Sequence, residues 1–493
     1  MDGLRSTAGS DVAASVMGGP VTQMAPALDE ARKRQIIVGV LTAMLLAALD
    51  QTIVAPAMTT IGRSLGHFEH LPWVISAYLI TATAVTPLYG KLADIHGRRS
   101  VIFVSVSIFI AASVLCALAP NLWTLIGARA LQGLGGGGLI ALAQTVMGDL
   151  VPPKQRGRYA AQISAVWAAA SVAGPVVGGV FAEHLHWSLV FWINVPLGAA
   201  ALAMMYGPLK DLPFVPRHHR LDALGAGLVV IGTSLAMLAL SLGRMSGHWG
   251  SPTVLGLALV AVVAIVLFVW RLNAFDAPLI PMQVLRDPVV LRGTLAVSLG
   301  MGGFVGLTTI VPIFLQLQSG LGPDAAALGL IVMAAGSVVG ALVVGRAIPK
   351  LGRYLLPAIG GLALACLALG GLAATVTAPF LPLTGFLLFL YGLGLGPIFP
   401  TATVSVQNAV ARYDLGAATG LLAFMRSLGA AFGVAILGAI VLGAGKGGAA
   451  IDPSSFRLAF LAALAATGGA FVLFAGMPAR PLRDGPEPVS AES

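Results

Sequence analysis

The chain has 493 residues, 57% hydrophobic and 10% charged, with a formal net charge of +9 and a mean hydropathy of +0.92. No water-soluble globular domain of this length carries that balance, so the chain is a polytopic membrane protein. Its excess of Lys and Arg is read as a membrane-topology signal, which excludes nucleic acid as the partner it would otherwise suggest.

A hydrocarbon core of about 30 Å takes about 20 apolar residues in a helix, and fourteen such runs follow one another. Residues 1–34 form a small, polar, disordered tail that ends in Arg32-Lys33-Arg34. The first span, 36–61, is too long for a signal peptide and carries Asp50 near its middle. An acid there costs roughly 2.5–3.5 kcal/mol and faces a bundle interior or a watery cavity, which makes it a proton or cation site by default. Spans 71–93 and 100–119 flank the inside loop Gly90-Lys-Leu-Ala-Asp94-Ile-His-Gly97-Arg98-Arg99. Span 124–149 carries Arg129 and Gln132 and ends at Asp149, and span 159–183 carries Gly174-Pro175-Val-Val-Gly178-Gly179. Span 189–209 closes an N-terminal six-helix bundle over 35–210; spans 222–242 and 252–271 lie in a linker over 211–289. Spans 290–316, 325–348, 354–376, 380–406, 415–442 and 456–477 build a C-terminal six-helix bundle over 290–478, and 479–493 form a second tail.

With the N-terminus inside, 22 of the 28 Lys and Arg fall on the cytoplasmic side, while Arg63, Arg244, Lys446 and Arg457 lie outside. Only Arg129 and Arg426 sit deep within spans. Both termini are therefore expected in the cytoplasm. Cys116 and Cys366 are too far apart to imply a disulfide framework, and the eight His show no ligand spacing, so no metal is expected. The chain also has no GxxxxGK[ST] phosphate loop, which removes the usual carrier of ATP-driven transport. It is not read as an enzyme and needs no cofactor.

A second loop, Gly345-Arg346-Ala-Ile-Pro349-Lys350-Leu-Gly352-Arg353, repeats the spacing of the first: Gly, six residues, then Gly-Arg. The 255 residues between the copies exceed a six-helix repeat, and the two spans in 211–289 account for the excess. The layout becomes six, two, six. Pro349 stands where the first copy has Asp94, so only the first loop can form an acid–base latch.

In this order the motifs resemble the major facilitator superfamily, in particular its fourteen-helix drug/proton antiporter branch. The resemblance rests on Gly90 to Arg99, on Leu49-Asp50-Gln-Thr52-Ile-Val-Ala-Pro56, on Arg129-Ala-Leu-Gln132-Gly133 and on Gly174 to Gly179. The joining region with Ser246-Gly-His-Trp249-Gly-Ser-Pro252 is similar to that branch too. Two departures stand out: His186-Trp187-Ser188 lacks the arginine expected beside its tryptophan, and the nearest second acid in the C-terminal half is Asp324, at a helix start. The resemblance implies an all-helical fold of two six-helix bundles plus two inserted helices around a central cavity. It implies proton-coupled export of small lipophilic or amphipathic compounds across a bacterial inner membrane, driven by the proton gradient. Its partners are then small molecules, protons and the bilayer, and the chain is expected to act as a monomer.

Within that frame Asp50 carries the proton and Arg129 tunes its affinity, the alternative being a static buried pair. Gly90, Asp94, Gly97, Arg98, Arg99 and Asp149 form a latch on the inner gate, or the arginines serve only as anchors at the headgroups. Gly174, Pro175, Gly178 and Gly179 give a bent, closely packed fifth helix that limits leakage between the halves. Trp73, Tyr78, Gln132, Trp167, Phe304, Gln316, Phe424 and Arg426 are candidates for the cavity wall, where aromatic faces would suit flat apolar or cationic drugs. One clear carboxylate predicts one proton per cycle. Export of a single metabolite or lipid, and a transport-inactive receptor with the same fold, remain the rival readings.

Overall fold

Hydrocarbon offers no hydrogen bonds to a backbone, so each spanning segment must satisfy its own amides and carbonyls, as a helix does. The computed structural model describes residues 29–67, 70–151, 153–211, 222–275, 278–351, 355–411, 414–443 and 452–481. Among these are fourteen helical segments long and apolar enough to cross a membrane.

The N-terminal bundle comprises α1 (Glu30–Leu65), α2 (Pro72–His96), α3 (Arg98–Ala117), α4 (Leu122–Leu150), α5 (Pro153–His184), α6 (Leu189–Trp192) and α7 (Asn194–Tyr206). Next come α8 (Ala223–Ser246), α9 (Pro252–Ala274) and the short α10 (Met282–Arg286). The C-terminal bundle comprises α11 (Pro288–Ser319), α12 (Pro323–Leu351), α13 (Leu355–Ala374), α14 (Leu381–Leu395), α15 (Ile398–Ala409), α16 (Leu415–Gly443) and α17 (Pro453–Ala475). Two of the spans expected as single helices are broken. Pro196 has no amide hydrogen for the Trp192 carbonyl, and Pro397 has none for Leu393, so the chain steps from α6 to α7 and from α14 to α15.

The inserted pair α8 and α9 is joined at one end by Asp222, which caps α8 through the Gly225 amide at 2.9 Å and accepts from Arg271 Nε at 3.2 Å. α8 packs on α2 and α16, where the Ser241 hydroxyl donates to Ser76 Oγ at 3.1 Å. α9 presents Leu259, Val263 and Trp270 outward, as a lipid-facing helix does.

With fourteen spans, both ends of the chain emerge on one face, here called the terminal face. There the two bundles close on each other. Gly90 of α2 lies so near the Gly416 carbonyl of α16 that a Cβ would overlap it, and Gln407 Nε2 of α15 donates to the Gln144 carbonyl of α4 at 3.2 Å. Toward the opposite face the bundles part around a cavity of about 760 Å³ that reaches Met58, Pro72 and Ser241. Of the two repeated loops, the first turns at Gly97 with φ +85°; in the second, Gly352 and Arg353 lie outside the described residues.

Small residues set the closest helix crossings, as expected where lipid offers no hydrophobic gain for packing. Cβ atoms at Gly174 and Gly178 of α5 would overlap Thr52 Oγ1 and the Ile53 carbonyl of α1, and Thr52 Oγ1 donates to the Ala170 carbonyl at 2.9 Å. Gly179 faces open space. Gly174 and Gly178 therefore fasten α5 to α1 within one bundle, while α5 also packs on α12 and α15 of the other. A methyl at Gly178 is expected to cost about 1–3 kcal/mol of overpacking, lowering the thermal-unfolding midpoint in detergent. Gly179→Ala in the same assay is expected to leave the midpoint unchanged.

Candidate functional site

The site begins with a run of glycines. At Gly133, Gly135 and Gly137 a side chain would overlap the backbone of α2 or α3, so α4 lies against both helices with nothing between. Arg129 and Gln132, one turn apart on α4, then share a face directed at α1.

That face meets Asp50, which is 0% exposed, while Arg129 is 1% exposed. Arg129 Nη1 donates to Asp50 Oδ2 at 2.7 Å. Gln132 Nε2 and Asn194 Nδ2 each donate to Asp50 Oδ1 at 2.9 Å. Ser113 Oγ of α3 accepts from Gln132 at 2.8 Å and from Asn194 at 3.3 Å. The arginine is fixed in turn by Gln132 Oε1 at 2.6 Å, by the Val74 carbonyl at 3.1 Å and by the Tyr78 ring, 4.4 Å from its guanidinium carbon. Cys116 donates its thiol to Gln132 Oε1 at 3.6 Å.

Gln132 thus belongs to the Asp50 network and not to the cavity wall where sequence placed it. Ser113 and Asn194 were missed, although Asn194 could have been found by the argument that singled out Asp50, being a strongly polar side chain in an apolar span. Asp50 itself does not reach the cavity. Arg129 and Tyr78 do, and stand between it and the carboxylate.

Trp167, Phe304 and Arg426 also line the cavity, which draws on both bundles. Trp73, Gln316 and Phe424 do not. Phe424 packs on the C-terminal core. Arg426, 9% exposed, places its guanidinium carbon 5.2 Å from the Trp167 ring and 5.2 Å from the Phe399 ring. Among the described residues no acid pairs with it, and none that lines the cavity is acidic.

At the terminal face Arg98 holds two acids. It donates to Asp94 Oδ1 through Nη1, and through Nε to Asp149 Oδ2 at 3.0 Å. Arg99, expected in the same cluster, instead lies over the rings of Phe103 at 5.7 Å and Tyr206 at 5.4 Å. The Asp94 carboxylate sits against Gly416, close enough to exclude a side chain there, so the ion cluster of one bundle touches the backbone of the other.

The Major Facilitator Superfamily profile matches residues 40–215 and 214–434. The chain belongs to that superfamily. The multidrug transporter protein MdtP of Bacillus subtilis is 33% identical over 84% of this chain and 76% of its own length. The vacuolar membrane amino acid uptake transporter fnx2 of Schizosaccharomyces pombe is 33% identical over 83% and 72%. An uncharacterized MFS-type transporter of Mycobacterium tuberculosis is 33% identical over 84% of this chain, which spans 60% of that relative's length. Among solved structures, a bacterial homologue of the iron transporter ferroportin in its outward-facing state shares the fold, with TM-score 0.65 and 14% identity over 90% of this chain and 98% of its own.

Removing Arg129 leaves a buried carboxylate without its cation, which costs about 3–5 kcal/mol in comparable buried pairs. Arg129→Leu and Asp50→Asn are each expected to lower the unfolding midpoint in detergent, because each leaves the other charge buried and unanswered. The double variant is expected to recover part of the loss, because the two residues are directly coupled.

Proposed function

We propose that this member of the superfamily is a proton-coupled exporter of small amphipathic or lipophilic compounds that works by alternating access. In this reading both termini are cytoplasmic, the membrane is a bacterial inner membrane, and the described conformation is closed toward the cytoplasm. One observation carries it: Arg129 lies on the cavity wall with Asp50 bound behind it. A proton on Asp50 cancels the charge that fixes Arg129, so cavity contents and proton compete through a shared arginine without touching. The relative named a multidrug transporter supports breadth of substrate; the one named an amino acid uptake transporter keeps a dedicated substrate as the second reading.

The cluster of Arg98 with Asp94 and Asp149 is the cytoplasmic latch in this scheme, since it touches α16 only while the bundles are closed there. Arg98→Ala leaves both acids without that cation and is expected to enlarge the population open toward the cytoplasm. Spin-label distance measurements across the two faces check this; an unchanged distribution would reject the latch.

Coupling is tested with purified protein in liposomes loaded with a pH-sensitive dye, given cationic, neutral and anionic amphiphiles. Wild type is expected to release protons on addition of substrate, with one proton per substrate exported. Asp50→Asn, at equal reconstituted amount, is expected to lose at least about tenfold of that flux, a barrier change near 1.4 kcal/mol. Flux of wild-type size in the variant would remove Asp50 from the coupling role.

A further inference from the structure

Two arginines reach the cavity, and only one of them is answered. Arg129 has Asp50 at 2.7 Å. Arg426 is nearly as deeply placed, yet it meets no carboxylate among the described residues, and no acid lines the space in front of it. The Trp167 and Phe399 rings each lie with their centroid 5.2 Å from its guanidinium carbon. Ring faces stabilise a cation only partly and satisfy none of its N–H groups, whose hydrogen-bonding edge lies in the guanidinium plane. A desolvated cation with no counter-charge is costly enough to need a partner that arrives from outside the chain.

We propose that the transported compound carries an acidic group, a carboxylate, sulfonate or ionised phenol on a flat apolar body, and that Arg426 is its anchor. The proposal names the substrate class of the export reading and rests on that reading for what the cavity does. A planar guanidinium binds a carboxylate through two parallel N–H···O bonds, and the other guanidinium on this wall, Arg129, is already held by Asp50. Ser427, the next residue on α16, and Ser337 on α12 also line the cavity and supply hydroxyl donors. The volume of about 760 Å³ suits a drug-sized molecule. The same site disfavours lipophilic cations: they would meet a like charge in a poorly screened space, against rings already taken up by Arg426. The aromatic wall that sequence alone connected with cationic drugs is thus turned to the opposite charge. Trp167 belongs to α5 and Arg426 to α16, so a bound anion would bridge the two bundles at the point where they must separate and close.

The test is equilibrium binding to wild-type protein in zwitterionic lipid nanodiscs, without any pH gradient. Three pyrene probes of one shape are compared: pyrenebutyrate, pyrenebutanol and a pyrenebutyl trimethylammonium. Energy transfer from tryptophan to pyrene reports occupancy, corrected by empty nanodiscs. The carboxylate is expected to bind about tenfold or more tighter than the ammonium probe. That preference is expected to vanish in Arg426→Gln and to survive in Arg426→Lys, which keeps the charge. Ammonium binding equal to or tighter than carboxylate in wild type would overturn the proposal without involving any variant. So would a preference intact in Arg426→Gln, or failure of every probe to bind. Because no gradient is imposed, loss of proton coupling leaves this result standing, and proton-linked movement of cations alone would sink it while the export reading survives.

Discussion

A charge placed in hydrocarbon must be answered by the protein, and the N-terminal bundle is organised around one such answer. Asp50 receives hydrogen bonds from α4 and α7, and its partners are in turn fixed by α2 and α3. Five segments therefore converge on one carboxylate. The glycines of α4 serve this convergence: without them α2 and α3 would stand too far off for Val74, Tyr78 and Ser113 to reach the network. The bond that Thr52 of α1, only two residues past Asp50, donates to α5 adds a sixth. A change in the protonation of Asp50 would be felt by most of that bundle at once, which is the property a coupling site needs.

The two bundles are unequal around the space they share. The N-terminal one contributes a cation that is already neutralised by its own acid, and an ion cluster at the terminal face in which Arg98 bridges Asp94 and Asp149. The C-terminal one contributes Arg426 with its charge uncompensated among the described residues, and backbone at Gly416 against which Asp94 rests. The repeated loops already contained this inequality, because Pro349 replaces the acid in the second copy. One bundle thus has the features of a charge relay, and the other those of a surface that is held and released.

The helix count, the six-two-six layout and the roles of Asp50 and Arg129 as partners were legible from the chain because hydropathy and misplaced charge are local signals. The helix breaks at Pro196 and Pro397 were not legible from proline alone, since Pro56, Pro87, Pro175 and Pro312 remove the same backbone bond inside helices that run on. What failed was orientation. Gln132, Trp73, Gln316 and Phe424 are the residue types that line cavities, but which of them meets the cavity depends on its depth along the helix and on packing between helices, set by close crossings such as Gly429 on Ser298. Arg99 was paired by adjacency with Arg98, yet successive helical residues point about 100° apart, and only one of the two faces the acids. Arg426 could be found from its depth, but that no acid among the described residues pairs with it could not, because a missing contact has no signature in a sequence.

The sign of the cargo changes the energetics of the whole cycle. One proton exchanged for a monovalent cation moves no net charge, and only the pH difference drives it, at about 1.4 kcal/mol per unit. A proton entering while an anion leaves moves two charges in the same electrical sense. With an inside-negative potential, each adds about 2.3 kcal/mol per 100 mV. A single carboxylate such as Asp50 could then drive steep export on the membrane potential even where the pH difference is small. A second intramembrane acid, which a cation exporter would need in order to draw on the potential, is not required by this exchange. Among the described residues no acid lines the cavity wall and none pairs with Arg426, which fits one economy: the protein supplies one titrating group, and the cargo brings the second charge with it.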